Sequence, residues 1–408
     1  MNGEDPIASA IGAIVNAGVL AGAATLVWRN GKVIQTASVG WRDMEAKLPM
    51  ERDTLFRIAS MTKPITSTAA LMLLEEGRFA LNDPIIRWAP EFSQMRVLRS
   101  PMGALDQTDL AERPITFEDL LTHRSGLTYD FLAPTPIGRA YREALGGDID
   151  SNVKPDDWIA ALAALPLIDQ PGAAFHYGHS TDLLGLLIAR IEDAPLGDVL
   201  ERRIFGPLGM KDTGFIVPRE KRSRRAALYG FDDAGRLTMR LTATGGSTLP
   251  ERPEDMAYVS GGQGLWSTLD DYLAFARMFL GAGDVDGVRL LRPETLALMT
   301  SNHLSDSQRA KSELAGLPVF VAGHGFGMGV AVVLEPKRAA PALCAGGVGT
   351  VGWPGAFGSW WQADPNDGSV LIFLTHNVMD PELAAKGIGL GVYGAIGQFH
   401  AMASASQG

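Results

Sequence analysis

The 408-residue sequence predicts an α/β protein in which strands from both ends of the chain build one unit around a helical middle. Three observations carry this expectation. A strand-turn-strand signal lies near the N-terminus, helical patterns dominate from about 85 to 255, and β-favouring segments return from 327 onward. We therefore expect an α/β domain assembled from 1–85 and 256–408, an all-α domain at 86–255, and a functional site at their interface.

The elements follow in chain order. Residues 7–27 are apolar, broken mainly by Asn16, and read as a buried helix followed by a strand at 24–28, with Gly18 and Gly22 as punctuation. A secretory signal would open on basic residues, whereas this chain opens Met1-Asn2-Gly3-Glu4-Asp5 and Arg29 is its first cation; the expected location is cytoplasmic, with no membrane partner. Asn30-Gly31, between two strand-like runs, is a hairpin signal, and 33–39 is the returning strand. Residues 60–77 read as a helix: Ala69, Leu71, Met72, Leu73 and Leu74 are its apolar face, Glu75 and Glu76 are solvated, and Gly77 stops it. Helices are expected at 117–122, 158–165 and 181–191, with 128–156 the least regular stretch. A further helix is expected at 269–280, strands at 327–334, 359–363 and 370–375, and a closing helix at 390–402. No internal repeat is present.

Composition narrows the function. With 46% hydrophobic and 20% charged residues the chain carries a core and is not disordered. Its net charge of -10 opposes the phosphate neutralisation that nucleic-acid binding requires, and the basic run from Arg219 to Arg225 reads as a solvated loop. One cysteine, Cys344, rules out an intramolecular disulfide and a thiolate metal cluster.

The chemistry concentrates in Ser60-Met61-Thr62-Lys63. On a helix, residues three apart are neighbours, so Lys63 reaches the Ser60 hydroxyl. Serine is a poor nucleophile until a base takes its proton, and a lysine whose pKa is lowered by burial can be that base. The helix N-terminus favours both the neutral amine and a developing anion. The pattern alone is cheap: Ser151-Asn152-Val153-Lys154 repeats it, but Pro155 disfavours helical geometry at Lys154, and a capping serine beside a solvated lysine explains such a match.

Two further segments matter. Tyr177, in Tyr177-Gly178-His179 ahead of the 181–191 helix, is a candidate to stabilise the neutral lysine and to protonate a leaving group, with a packed loop residue as its plain alternative. In Gly352-Trp353-Pro354-Gly355 the glycines permit close backbone approach, and Pro354 confines the segment to an edge strand or bulge facing a cleft.

Together these residues resemble the serine β-lactamase and penicillin-binding-protein superfamily, which uses Ser-x-x-Lys, then Tyr-x-Asn or Ser-Asp-Asn, then Lys-Thr-Gly. The blocks Leu120-Leu121-Thr122-His123-Arg124-Ser125-Gly126-Leu127, Pro207-Leu208-Gly209-Met210 and Ser260-Gly261-Gly262-Gln263-Gly264 through Tyr272 resemble its class C branch. Two departures stand out. Tyr177 is followed by Gly178-His179, with imidazole in place of the amide, and Trp353-Pro354-Gly355 occupies the place of Lys-Thr-Gly. Loss of that lysine removes a cation that helps hold a substrate carboxylate. This pattern is similar to the family VIII carboxylesterases.

The resemblance implies a β-lactamase-like fold, a central antiparallel sheet flanked by helices plus the inserted all-α domain. It implies Ser60 as acylated nucleophile, Lys63 and Tyr177 as proton-transfer pair, and the backbone N–H groups of Ser60 and Ala356 as oxyanion hole, with no metal and no cofactor. Trp353, Gly355, His179, Tyr129, Phe131 and Phe326 are the expected substrate-binding residues. The expected activity is hydrolysis of small-molecule esters with short to medium acyl chains, weak β-lactam hydrolysis alongside. The alternatives are a β-lactamase or D-amino peptidase, an acyltransferase or transesterase on the same scaffold, and a silent binding protein; the oligomeric state is not read from the sequence.

Other matches fail on context. Gly347-Val348-Gly349-Thr350-Val351-Gly352 fits a dinucleotide fingerprint, but Trp353-Pro354 follows where a helix should begin. No G-x-S-x-G elbow occurs. His176 and His179 lack a third plausible ligand and read as loop residues, while His123, His376 and Cys344 read as packing.

Overall fold

The structure, a computed structural model, describes residues 5–130, 132, 135–147, 149–240, 252, 256–314, 317–320 and 323–405. Helix α1 (Pro6–Asn16) begins where the Asp5 side chain accepts the Ile7 N–H at 2.9 Å, with Pro6 in the first turn. Strands β1 (Gly22–Arg29) and β2 (Lys32–Asp43) form the expected hairpin, its two turn residues Asn30 and Gly31 both at positive φ, 49° and 87°. A short β3 (Leu48–Pro49) follows.

The C-terminal part supplies β4 (His324–Phe326), β5 (Ala331–Val333), β6 (Val351–Gly352), β7 (Trp360–Asp364) and β8 (Ser369–Leu374). The sheet runs β4-β5-β6-β7-β8-β1-β2-β3, antiparallel at every junction, and β8 meets β1 from Ala24↔Leu374 to Arg29↔Ser369. The two termini thus share one sheet, the expected architecture. Every residue of β7 and β8 is buried, because helices cover both faces. Val27, Leu371 and Phe373 pack with Ile7 and Ile11 of α1 and with Ile396 and Phe399 of the C-terminal helix Gly391–Ala405. Leu26, Ile372 and Leu374 face the other way, into a core that continues through α2 (Thr62–Glu75) to Leu183 and Leu187.

Between these strands lie α3 (Phe117–Leu121), opened by a Thr116/Asp119 capping box, then α4 (Pro136–Leu145), α5 (Pro155–Ala163) and α6 (Ser180–Glu192). No helix among the described residues is long and apolar enough to cross a membrane.

Several expectations are corrected. The 60–77 helix begins as a 3-10 turn, Ala59–Met61, so Ser60 precedes α2 rather than lying on it. The expected 327–334 strand is the tip and second arm of the β4-β5 hairpin, because its glycines turn the chain instead of extending it. The irregular 128–156 stretch contains α4, whose Pro136 start and left-handed Gly146 stop were its sequence signals. Pro354 lies just beyond β6, an interior strand, where no ladder bond needs its missing N–H.

Candidate active site

The segment ahead of α2 is held on two sides. Phe56–Arg57 pairs with Trp266–Ser267, and Ile58 N–H donates to Leu265 O at 3.0 Å. Ala59 then adopts φ 44°, a left-handed conformation that a non-glycine residue holds only when its surroundings impose it. The turn leaves Ser60 nearly buried and Lys63 wholly buried on the first turn of α2.

Around Ser60 the distances are short. Lys63 Nζ lies 3.2 Å from Ser60 Oγ, and Tyr177 Oη–H donates to the same oxygen at 2.6 Å. Trp353 Nε1–H donates to Tyr177 Oη at 3.0 Å, and Lys63 Nζ stands 4.5 Å from the centre of the Tyr177 ring. Lys63 also contacts Tyr129 Oη at 3.3 Å and Gly262 O at 3.0 Å. His123 fixes the loop that carries Tyr177: its Nδ1 accepts the Gly178 N–H at 3.4 Å, and its ring lies 4.9 Å from that of Tyr177.

Behind Lys63 lies the carboxylate of Asp182, wholly buried on the first turn of α6. It receives Tyr129 O–H at 3.0 Å, Gly262 N–H at 3.0 Å and the Ser260 hydroxyl, and it lies 3.1 Å from His179 Nδ1. Gly262 has no room for a side chain, since a Cβ there would come within 2.9 Å of Tyr129 Oη and 3.0 Å of Asp182 Oδ1.

Burial lowers the Lys63 amine from its ordinary value to about 7, against the pull of the Asp182 charge. Burial raises both phenols, Tyr129 and Tyr177, so both stay protonated across the neutral range; the bonds of Tyr177 to Ser60 and Trp353 only partly offset this. Burial opposes ionisation of Asp182, yet the bond from His179, the charges of His179 and Lys63 and the Ser260 hydroxyl leave its carboxyl below the ordinary range. Burial, with Lys63 nearby, keeps His123 neutral.

The loop after β6 completes the arrangement. Gly355 lies against the Ile58 carbonyl, where an added Cβ would stand 2.5 Å from the oxygen, and Phe357 packs with Ala59. Ala356, between them, is exposed and sits beside the turn that carries Ser60.

Ser60, Lys63, Tyr177, Trp353 and Tyr129 come together as a group, but Tyr129 and Trp353 are buried partners of the lysine and the tyrosine rather than open pocket walls. His179 is wholly buried, its ring boxed by Tyr129, Tyr141 and Trp158, so the expected substrate contact gives way to one with Asp182. Phe326 is wholly buried behind Trp353, 5.2 Å from its ring centre, which makes it support for that residue. Gly355 lies against the Ile58 carbonyl. Phe131 lies outside the described residues. Asp182, Ser260 and the Gly262 carbonyl were missed as functional groups; the only sequence signal was the glycine-rich 260–264 block. Among the described residues no group of three or more His, Cys, Asp or Glu side chains is placed to hold a metal ion.

A serine flanked by lysine and tyrosine, seated between an antiparallel sheet and a set of helices, defines a protein of the serine β-lactamase and penicillin-binding superfamily, of the family VIII esterase type. The family model described as Beta-lactamase matches residues 7–389, and the chain belongs to that family. It is similar to Protein Rv1367c of Mycobacterium tuberculosis (strain H37Rv), 47% identical over 367 residues covering 90% of this chain and 88% of that one. Esterase EstB of Burkholderia gladioli is 32% identical over 376 residues, 88% of this chain and 87% of that protein. Among solved structures, EstCE1, a hydrolase with promiscuous acyltransferase activity, superposes with a TM-score of 0.75 at 26% identity, covering 96% of this chain and 97% of its own.

Proposed function

We propose that the protein is a carboxylesterase that hydrolyses small-molecule esters of short to medium acyl chains through an acyl-enzyme on Ser60. The observation that carries this reading is Ser60 Oγ between Lys63 Nζ at 3.2 Å and Tyr177 Oη at 2.6 Å. Lys63 takes the hydroxyl proton as Ser60 attacks, the amides of Ser60 and Ala356 hold the oxyanion, Tyr177 protonates the departing alcohol, and water releases the acid. Similarity to Esterase EstB supports ester chemistry, and tryptophan in place of the Lys-Thr-Gly lysine supports a neutral ester over a substrate recognised by its carboxylate. In this reading the site lies at the junction of 1–85 and 256–408 with 86–255.

Burst kinetics with p-nitrophenyl butyrate test the assignment. The wild type releases one equivalent of p-nitrophenol ahead of steady state, and Ser60→Ala abolishes both the burst and labelling by a fluorophosphonate. Turnover by Ser60→Ala at the wild-type rate overturns it. A second reading, transfer of the acyl group to an alcohol, is favoured by the likeness to EstCE1. It predicts a butyrate ester as the main product when a primary alcohol is added.

A further inference from the structure

The contacts around Ser60 form one continuous line of hydrogen bonds from Trp353 to Asp182, and each end of the line can act in only one sense. An indole N–H only donates, and a carboxylate only accepts. Because Trp353 Nε1–H donates to Tyr177 Oη, the phenol's own proton is directed to Ser60 Oγ. Because Tyr129 O–H is taken by Asp182, the Tyr129 oxygen is left to accept from Lys63. The Gly262 carbonyl accepts a second Lys63 N–H. A neutral Lys63 therefore spends both N–H groups on Tyr129 and Gly262 and turns its lone pair to Ser60 Oγ. An ammonium keeps the same three contacts and points its third N–H there, so the site satisfies the amine before and after it gains a proton, with no reorganisation.

We propose that Trp353, and Asp182 acting through Tyr129, are positioning residues that fix the direction of proton transfer: Ser60 gives its proton to Lys63, and Tyr177 is held as donor to the leaving alcohol. This rests on Ser60 as the nucleophile. The protons balance over a cycle. In acylation the Ser60 Oγ–carbonyl bond forms and the carbon–alkoxy bond breaks, with the serine proton moving to Lys63 and the Tyr177 proton to the alkoxide. The Tyr177 phenolate, held by the Trp353 N–H and the ammonium above its ring, then takes a proton from the attacking water. As the Ser60 ester bond breaks, Lys63 returns its proton to Oγ.

Two variants test the two ends by kcat/KM. Trp353→Phe keeps the ring and removes the N–H. An ethyl ester, whose alkoxide must be protonated, is expected to lose at least about ten-fold more activity than the p-nitrophenyl ester, whose leaving group needs no proton. Equal losses on the two esters overturn the proposal. Tyr129→Phe removes an acceptor that the ammonium uses more strongly than the amine, so the acid limb of the pH profile is expected to move down by about one unit. The groups facing Lys63 are Asp182 from α6, with His179 behind it against its carboxylate, Tyr129, Tyr177 and His123; an acid limb that stays in place overturns the proposal. Activity retained by Ser60→Ala would remove the nucleophile instead, a separate failure.

Discussion

Gly355 rests directly on the carbonyl oxygen of Ile58, two residues before Ser60, and a single added methyl carbon would stand 2.5 Å from that oxygen. This contact ties the loop after β6 to the turn that presents the serine. It therefore sets where the Ala356 amide stands relative to Ser60.

Gly355→Ala is expected to push the two segments apart and cost about 100-fold in kcat, the scale of losing one oxyanion donor, with little change in KM. Steady-state kinetics with p-nitrophenyl butyrate check this, with the melting temperature as control for folding. Unchanged kcat would mean that the Ala356 amide holds no oxyanion.

The pH dependence follows from Lys63. The amine must be neutral to take the serine proton, and burial places its titration at about 7. Below that pH the ammonium form dominates, so kcat/KM on a neutral ester is expected to fall as pH drops through about 7 and to level off above it. A profile flat between about pH 5 and 9 would exclude Lys63 as the base.

Ser151 is the internal control. Its hydroxyl donates to Leu145 O at 2.6 Å, and Lys154 is extended at ψ 152° ahead of α5, so the second Ser-x-x-Lys match is a structural loop. Ser151→Ala is expected to keep full esterase activity and fluorophosphonate labelling while losing about 1 kcal/mol of stability, measured by urea unfolding. Loss of labelling in this variant would misplace the nucleophile.

Arg57, three residues before the serine, and Arg252 share the buried carboxylate of Asp150 at 3.0 and 2.9 Å. Asp150→Asn removes the charge both guanidiniums face and is expected to destabilise the protein by about 3–5 kcal/mol, read as a fall in melting temperature. A melting temperature equal to wild type would show that other groups neutralise the pair.

What could be read from the sequence depended on range. Ser60 and Lys63 sit three residues apart, so local spacing exposed them, and Tyr177 stood out beside a helix start. The role of Trp353 did not: its indole meets a phenol 176 positions away, and only the fold supplies that meeting. Asp182 carries no signal of its own in the sequence, because its partners Tyr129, Ser260 and Gly262 come from remote loops. The expectation of a substrate contact at His179 fails because adjacency to Tyr177 in sequence does not say which way a ring points. The division of strands between the two ends was legible in β-favouring composition, whereas β4 and β5 are too short for periodicity to separate them from their turn.

The seam between β1 and β8 also has a consequence for how the chain comes to be folded. Ala24 and Leu374 are 350 positions apart, yet they are direct partners in the middle of the sheet. During synthesis the β1-β2 hairpin precedes β8 by more than 300 residues and presents an unpaired inner edge until that strand follows. Such an edge is a template for the wrong neighbour, and closing so long a loop slows folding. The turn that carries Ser60 lies between these two strands in sequence, so the loop that the seam closes encloses it.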